Sequence, residues 1–114
     1  MAKKILLVED DASARAPLAD VLELQGYIVY SHETAEEAAF HILDGDADVA
    51  ILDVRLPGRF GDEFGIELKA KKPHTKIIFL TGDYRVDHLK TCVPGALVLS
   101  KPVDVDVLLQ LIES

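Results

Sequence analysis

Carboxylates dominate the residues of this chain that could do chemistry. Glu9, Asp10 and Asp11 directly follow the apolar run Ile5-Leu6-Leu7-Val8, and a second apolar run, Ala50-Ile51-Leu52, ends on Asp53. Two short buried strands that each stop on an acid can set those acids side by side at one end of a sheet. Clustered carboxylates repel one another unless a cation or a proton sits among them. The pattern predicts a divalent-metal site in which one acid can itself react. Asp11 has a second reading, as the N-cap of a following helix, because an acid after a strand often serves that purpose.

The elements that must position these acids follow from the apolar pattern. Short apolar runs over residues 5–8, 27–31, 49–52, 77–80 and 96–99 read as strands. Between and after them, helical spacing appears over residues 11–25, from the capping-box sequence Thr34-Ala35-Glu36-Glu37 up to Gly45, over 64–71, more weakly over 84–91, and over 105–112. Pro17 falls in the opening turns of the first helix and Gly26 stops it. Five strand–helix repeats with continuous apolar strands predict a single α/β domain over residues 1–114. Its parallel sheet would be buried on both faces and doubly wound by helices. In such sheets ligands bind beyond the carboxyl ends of the strands. Four of the five predicted strand ends carry a reactive or polar group: Glu9-Asp10, Asp53, Thr81 and Ser100-Lys101. The strand ending near Ser31-His32 does not, as expected of an edge strand beside a central crevice.

Composition narrows the function classes. With 114 residues, 49% hydrophobic and 28% charged, the chain fits one folded domain rather than a disordered segment. A formal net charge of −8 argues against a direct nucleic-acid surface, which needs clustered Lys and Arg. No apolar stretch approaches the roughly 18 residues of a membrane span, and no signal peptide precedes the first strand. The lone Cys92 excludes an internal disulfide and fits a reducing compartment, so a cytoplasmic location is expected. His32, His41, His74 and His88 are scattered without zinc-ligand spacing and read as surface residues.

Glu9-Asp10, Asp53, Thr81 and Lys101-Pro102, in this order and near these spacings, resemble the receiver domain of bacterial two-component response regulators, of the single-domain type. The likeness extends to Leu56-Pro57, to Gly61 eight residues beyond Asp53, and to Gly26-Tyr27. It covers essentially the whole chain. It implies a flavodoxin-like (βα)5 fold with strand order 2-1-3-4-5, and it assigns roles. Asp53 becomes the phosphoacceptor, attacking the phosphorus of a phosphohistidine. Asp10 and Asp53 become direct Mg²⁺ ligands, with Glu9 acting through water and the Arg55 carbonyl supplying a further oxygen. Lys101 and the Thr81 hydroxyl face the phosphoryl group. Magnesium suits such a set, since it prefers octahedral oxygen from one or two carboxylates, retained water and phosphate. Phosphoryl transfer is mostly positioning and charge stabilisation, which asks for a metal and a cation of this kind.

The same resemblance implies a histidine kinase or histidine phosphotransfer protein as donor. It also implies a downstream protein target on the face of the fourth helix, fifth strand and fifth helix. Beyond phosphotransfer to itself and hydrolysis of its own phosphoaspartate it implies no enzyme activity. Asp53-Val54-Arg55 lacks the second acid of the Asp-x-Asp pair of haloacid-dehalogenase-like phosphatases, and no Gly-rich phosphate loop is present.

Three departures from the family pattern stand out. Val98 occupies the place, three residues before Lys101, where the family commonly has an aromatic switch residue. The interval from Thr81 to Lys101 is about two residues short, so the fourth helix should be short or irregular. Arg55 and Asp83 lie two residues beyond Asp53 and Thr81, where a pair across the mouth could hinder hydrolysis. The altered output face leaves one alternative: a receiver-like interaction module that binds a partner without phosphorylation.

Overall fold

Among the residues that the computed structural model describes (2–44, 47–55, 61–82 and 93–114), five strands and four helices follow one another along the chain. They are β1 (Lys4–Val8), α1 (Ala12–Leu24), β2 (Ile28–His32), α2 (Ala35–Asp44) and β3 (Val49–Asp53), then α3 (Gly61–Lys71), β4 (Lys76–Thr81), β5 (Leu97–Ser100) and α4 (Val105–Glu113). The strands form one parallel sheet in the order β2-β1-β3-β4-β5, the flavodoxin-like order that the resemblance implied. The helical stretch expected over 84–91 lies outside the described residues, as do Asp83, His88, Cys92, Leu56 and Pro57.

Alternation along the strands divides the core into two layers. Leu6, Val8, Ala50, Leu52, Ile77 and Phe79 face Ala35 and Ala38 of α2 and Phe64 and Leu68 of α3. Their neighbours Ile5, Leu7, Val49, Ile51, Ile78 and Leu80 face Leu18, Ala19 and Leu22 of α1 and Leu108 and Ile112 of α4. Burial on both faces holds for the three central strands, β1, β3 and β4. It does not hold for β2 and β5, where the residues are half-buried or exposed and Ile28 is 43% exposed. An edge strand has a neighbour on one side only, so an apolar run there need not be wholly enclosed.

Register brings the strand ends level. Val8 pairs with Leu52, so Glu9, one step on, stands beside Asp53; Asp53 pairs with Leu80, and Thr81 with Ser100. The helix ends fix how the chain leaves these positions. Asp11 caps α1, its Oδ1 accepting from the Ser13 N–H at 3.0 Å and the Ser13 hydroxyl at 2.7 Å. Gly26, at φ +94°, closes the helix: its N–H donates to the Glu23 carbonyl and that of Tyr27 to the Leu22 carbonyl, a Schellman end. Thr34 caps α2 through the Glu37 N–H, but the Glu37 carboxylate reaches back to the N–H of Glu33 rather than of Thr34. Asp104 caps α4, and the Lys3 and Lys76 ammonium groups donate to carbonyls in its last turn. These lysines supply donors that the final helical carbonyls otherwise lack.

Helix α3 starts at Gly61, three residues before the expected 64. The Gly61 N–H donates to the Val54 carbonyl at 2.7 Å, and a Cβ on Gly61 would lie 1.9 Å from the Asp53 carbonyl oxygen. Helix α3 therefore abuts the backbone of Asp53 with no room for a side chain.

Candidate phosphoacceptor and cation site

Glu9, Asp10 and Asp53 bring one carboxylate oxygen each to within 4.8 Å of one another beyond the carboxyl ends of β1 and β3. Glu9 and Asp53 are buried, at 2% and 4% exposure, whereas Asp10 faces solvent. Burying two acids side by side is unfavourable without a compensating charge. Here that charge is the ammonium of Lys101, with Nζ 2.9 Å from Asp53 Oδ2 and 3.0 Å from Glu9 Oε2. The remaining oxygens are also occupied: Asp53 Oδ1 accepts from the Arg55 N–H at 3.0 Å and Glu9 Oε1 from the Asp11 N–H at 3.2 Å.

These contacts act on proton affinity in opposite senses. Burial pushes the Glu9 carboxyl up; the Lys101 ammonium opposes this, the Asp53 carboxylate reinforces it, and the result is about 7. Burial pulls the Lys101 ammonium down, but its bonds to Asp53 and Glu9 outweigh that and hold it above the ordinary lysine range. Asp11 is held below the usual carboxylate range by the Ser13 hydroxyl and N–H, as befits a cap.

The acids open into a cleft of about 480 Å³ lined also by Asp11, Arg55, Thr81, Gly82 and Lys101. Thr81 is buried at the end of β4, and its carbonyl accepts from the Lys101 N–H at 2.9 Å, which anchors the lysine backbone to the sheet. The Lys101–Pro102 peptide bond is cis. An adjoining cleft of about 390 Å³, mostly apolar, runs between Pro17, Leu18 and Val21 of α1 and Pro102, Val103 and Val105, and shares Glu9, Asp11 and Lys101 with the first.

The structure thus brings together Glu9, Asp10, Asp53, Arg55, Thr81 and Lys101. Asp11 lies at the rim as a helix cap. Asp83 lies outside the described residues, and with it the expected pair to Arg55; Arg55 itself is exposed. His74 is exposed, but His32 is half-buried at the end of β2, with Nδ1 4.0 Å from Glu37 Oε2, and so departs from the surface reading. His32 ends an edge strand, and its carbonyl receives the Glu9 N–H.

Val98 is half-buried beside Phe79, its partner on β4, which is fully enclosed. The sequence reading missed Arg15, whose Nη1 donates to the Glu9 carbonyl at 2.7 Å. One signal could have flagged it. A cation in a helix's opening turn opposes the helix dipole by about 0.3–1 kcal/mol, a mild cost that a partner outside the helix can offset.

A divalent cation fits this donor set. Three carboxylates converge, two of them buried, and a side-chain cation already rests between two of them. The set is all oxygen, as hard cations require.

Comparison with known proteins agrees with this geometry. The family model described as the response regulator receiver domain matches residues 5–113. Response regulator protein FleR of Pseudomonas aeruginosa is 35% identical over 115 residues, 98% of this chain and 24% of that protein. A cyclic di-GMP phosphodiesterase of Thermotoga maritima is 34% identical over 106 residues, 91% of this chain and 28% of that protein. The chain therefore spans about a quarter of the length of these two relatives. Among solved structures, a CheY-like receiver domain protein of Methanospirillum hungatei is 29% identical with a TM-score of 0.90, covering 99% of this chain and 92% of that one. Chemotaxis protein CheY4 of Vibrio cholerae is 26% identical, also at 0.90, covering 99% and 98%.

Proposed function

The chain belongs to the response regulator receiver domain family, a family of phosphoacceptors in two-component signalling, and from that membership we propose that Asp53 is the residue that takes up the phosphoryl group. The observation that carries the assignment is the convergence of Glu9, Asp10 and Lys101 on the buried Asp53 carboxylate. Asp10 and Asp53 would ligate Mg²⁺ directly, with Glu9 through water and the Arg55 carbonyl as a further donor. Bound there, the metal supplies positive charge against the phosphoryl oxygens.

The chain's own residues do the rest. The Arg55 N–H and Lys101 orient the Asp53 carboxylate, one oxygen of which attacks phosphorus. The new O–P bond forms as the N–P bond of a partner's phosphohistidine breaks, and the imidazole nitrogen keeps the electron pair. Lys101 then faces the added phosphoryl oxygens and the Thr81 hydroxyl donates to one of them. Such charge-assisted contacts are what this reaction demands of a protein.

The donor is a histidine kinase or histidine phosphotransfer protein. The apolar cleft along α1, which shares Glu9 and Lys101 with the acidic pocket, offers that partner a seat beside Asp53. A downstream target would read the face that includes β5 and α4. No helix among the described residues is long and apolar enough to cross a membrane. A module that binds its partner without phosphorylation is not favoured, because the whole reactive set is present and converges. Incubation with Mg²⁺ and acetyl phosphate followed by intact mass should show one added phosphoryl group, absent in Asp53→Asn. No gain with any phosphodonor would overturn the assignment.

A further inference from the structure

Arg15 stands in the opening turn of α1, where the helix dipole disfavours a cation. It is held there by the loop that carries the acids. Nη1 donates to the Glu9 carbonyl at 2.7 Å and, more loosely, to the Asp10 carbonyl at 3.5 Å, while Nη2 lies 4.0 Å from Glu33 Oε1. The Arg15 side chain is only 19% exposed, unusual for an arginine. These bonds grip the backbone beneath the carboxylates rather than the carboxylates themselves.

That segment needs a grip. Toward β3 the ladder ends at Val8, the Glu9 N–H makes a last bond to the His32 carbonyl of β2, and Asp11 already belongs to the helix as its cap. Glu9 and Asp10 thus form the short link between two elements. Lys101 offsets part of the repulsion among the three acids within 4.8 Å, and what remains acts outward on this link. We propose that Arg15 is a positioning residue of the cation site, clamping the Glu9-Asp10 backbone to α1. The carboxylates of Glu9 and Asp10 are thereby kept aimed at Asp53. The inference rests on the reading of these acids as a magnesium site.

The sign of one measurement separates a clamp from a mere nearby charge. Removing a positive charge beside an acidic pocket tightens binding of a divalent cation on Coulombic grounds alone; removing a clamp weakens it. Magnesium affinity is measured by isothermal titration for the wild type, Arg15→Met and Arg15→Lys at fixed ionic strength. The metal-free thermal midpoint of each variant serves as the control for folding. Arg15→Met should bind about tenfold more weakly, the low end for loss of an outer partner of metal ligands. Arg15→Lys should fall between the two, since an ammonium can reach one carbonyl but lacks the guanidinium fork. Unchanged or tighter binding by Arg15→Met overturns the clamp alone. Absence of magnesium binding by the wild type overturns the metal reading and the clamp with it. Should Arg15→Met fail to fold, Arg15→Gln decides by the same sign.

Discussion

At Glu9, burial and the Asp53 carboxylate favour the proton, and the Lys101 ammonium and the Asp11 N–H favour the anion. Burial prevails and pushes the Glu9 carboxyl up from 4.5 to about 7. Between those values Glu9 binds more protons in the folded state, so its own contribution to stability falls as pH rises. In metal-free buffer, the difference in unfolding free energy between wild type and Glu9→Gln should decline from about pH 4.5 to about 7 and level off above. A difference curve that is flat or rises across that window contradicts the assigned environment. At the same scale, Val98 was read as removing an aromatic switch. Its neighbour Phe79 on β4 is fully buried.

Element boundaries show how far local sequence reaches. The Asp11 and Thr34 caps and the Gly26 stop were legible because each acts on N–H or carbonyl groups within a few residues. Gly26→Ala forces a Cβ into the left-handed region at φ +94° although nothing crowds it, so the loss should come from backbone strain alone. We expect a destabilisation of about 1 kcal/mol by chemical denaturation with an unchanged m-value; a neutral or stabilising result would reject the Schellman end. Strand ends were read one residue short at Asp53, Thr81 and Ser100, where polarity marked a stop. Parallel pairing continues through these residues, because the ladder depends on the backbone and not on side-chain polarity. The onset of α3 was missed for a related reason. Gly61 is a poor helix former, and the contact that starts the helix is with Val54 and Asp53, not with its sequence neighbours.

For the molecule as a whole, the acidic site joins the ends of β1 and β3 to Lys101 after β5, so a cation bound there ties together strands distant in sequence. Binding to the folded state alone stabilises it by mass action. Magnesium at about a hundred times its dissociation constant should raise the unfolding free energy by about 2.7 kcal/mol. The thermal midpoint should then rise by about 10 °C. Chelation with EDTA should reverse the shift, and Asp10→Asn should abolish it. A midpoint insensitive to magnesium at concentrations that saturate direct titration would mean that the ion does not distinguish folded from unfolded chain.

Residue types and their local order determined the strand–helix alternation, the acids at two strand ends and the candidate cation at Lys101, because apolar period and turn chemistry act over a few residues. Tertiary structure decided what those groups do to one another. Lys101 meets Asp53 across 48 residues of chain and Glu9 across 92. The exposure of the edge strands, the room denied at Gly61 and the grip of Arg15 likewise arise only when separate elements pack. Distances between such segments depend on the whole sheet, and no local pattern encodes them.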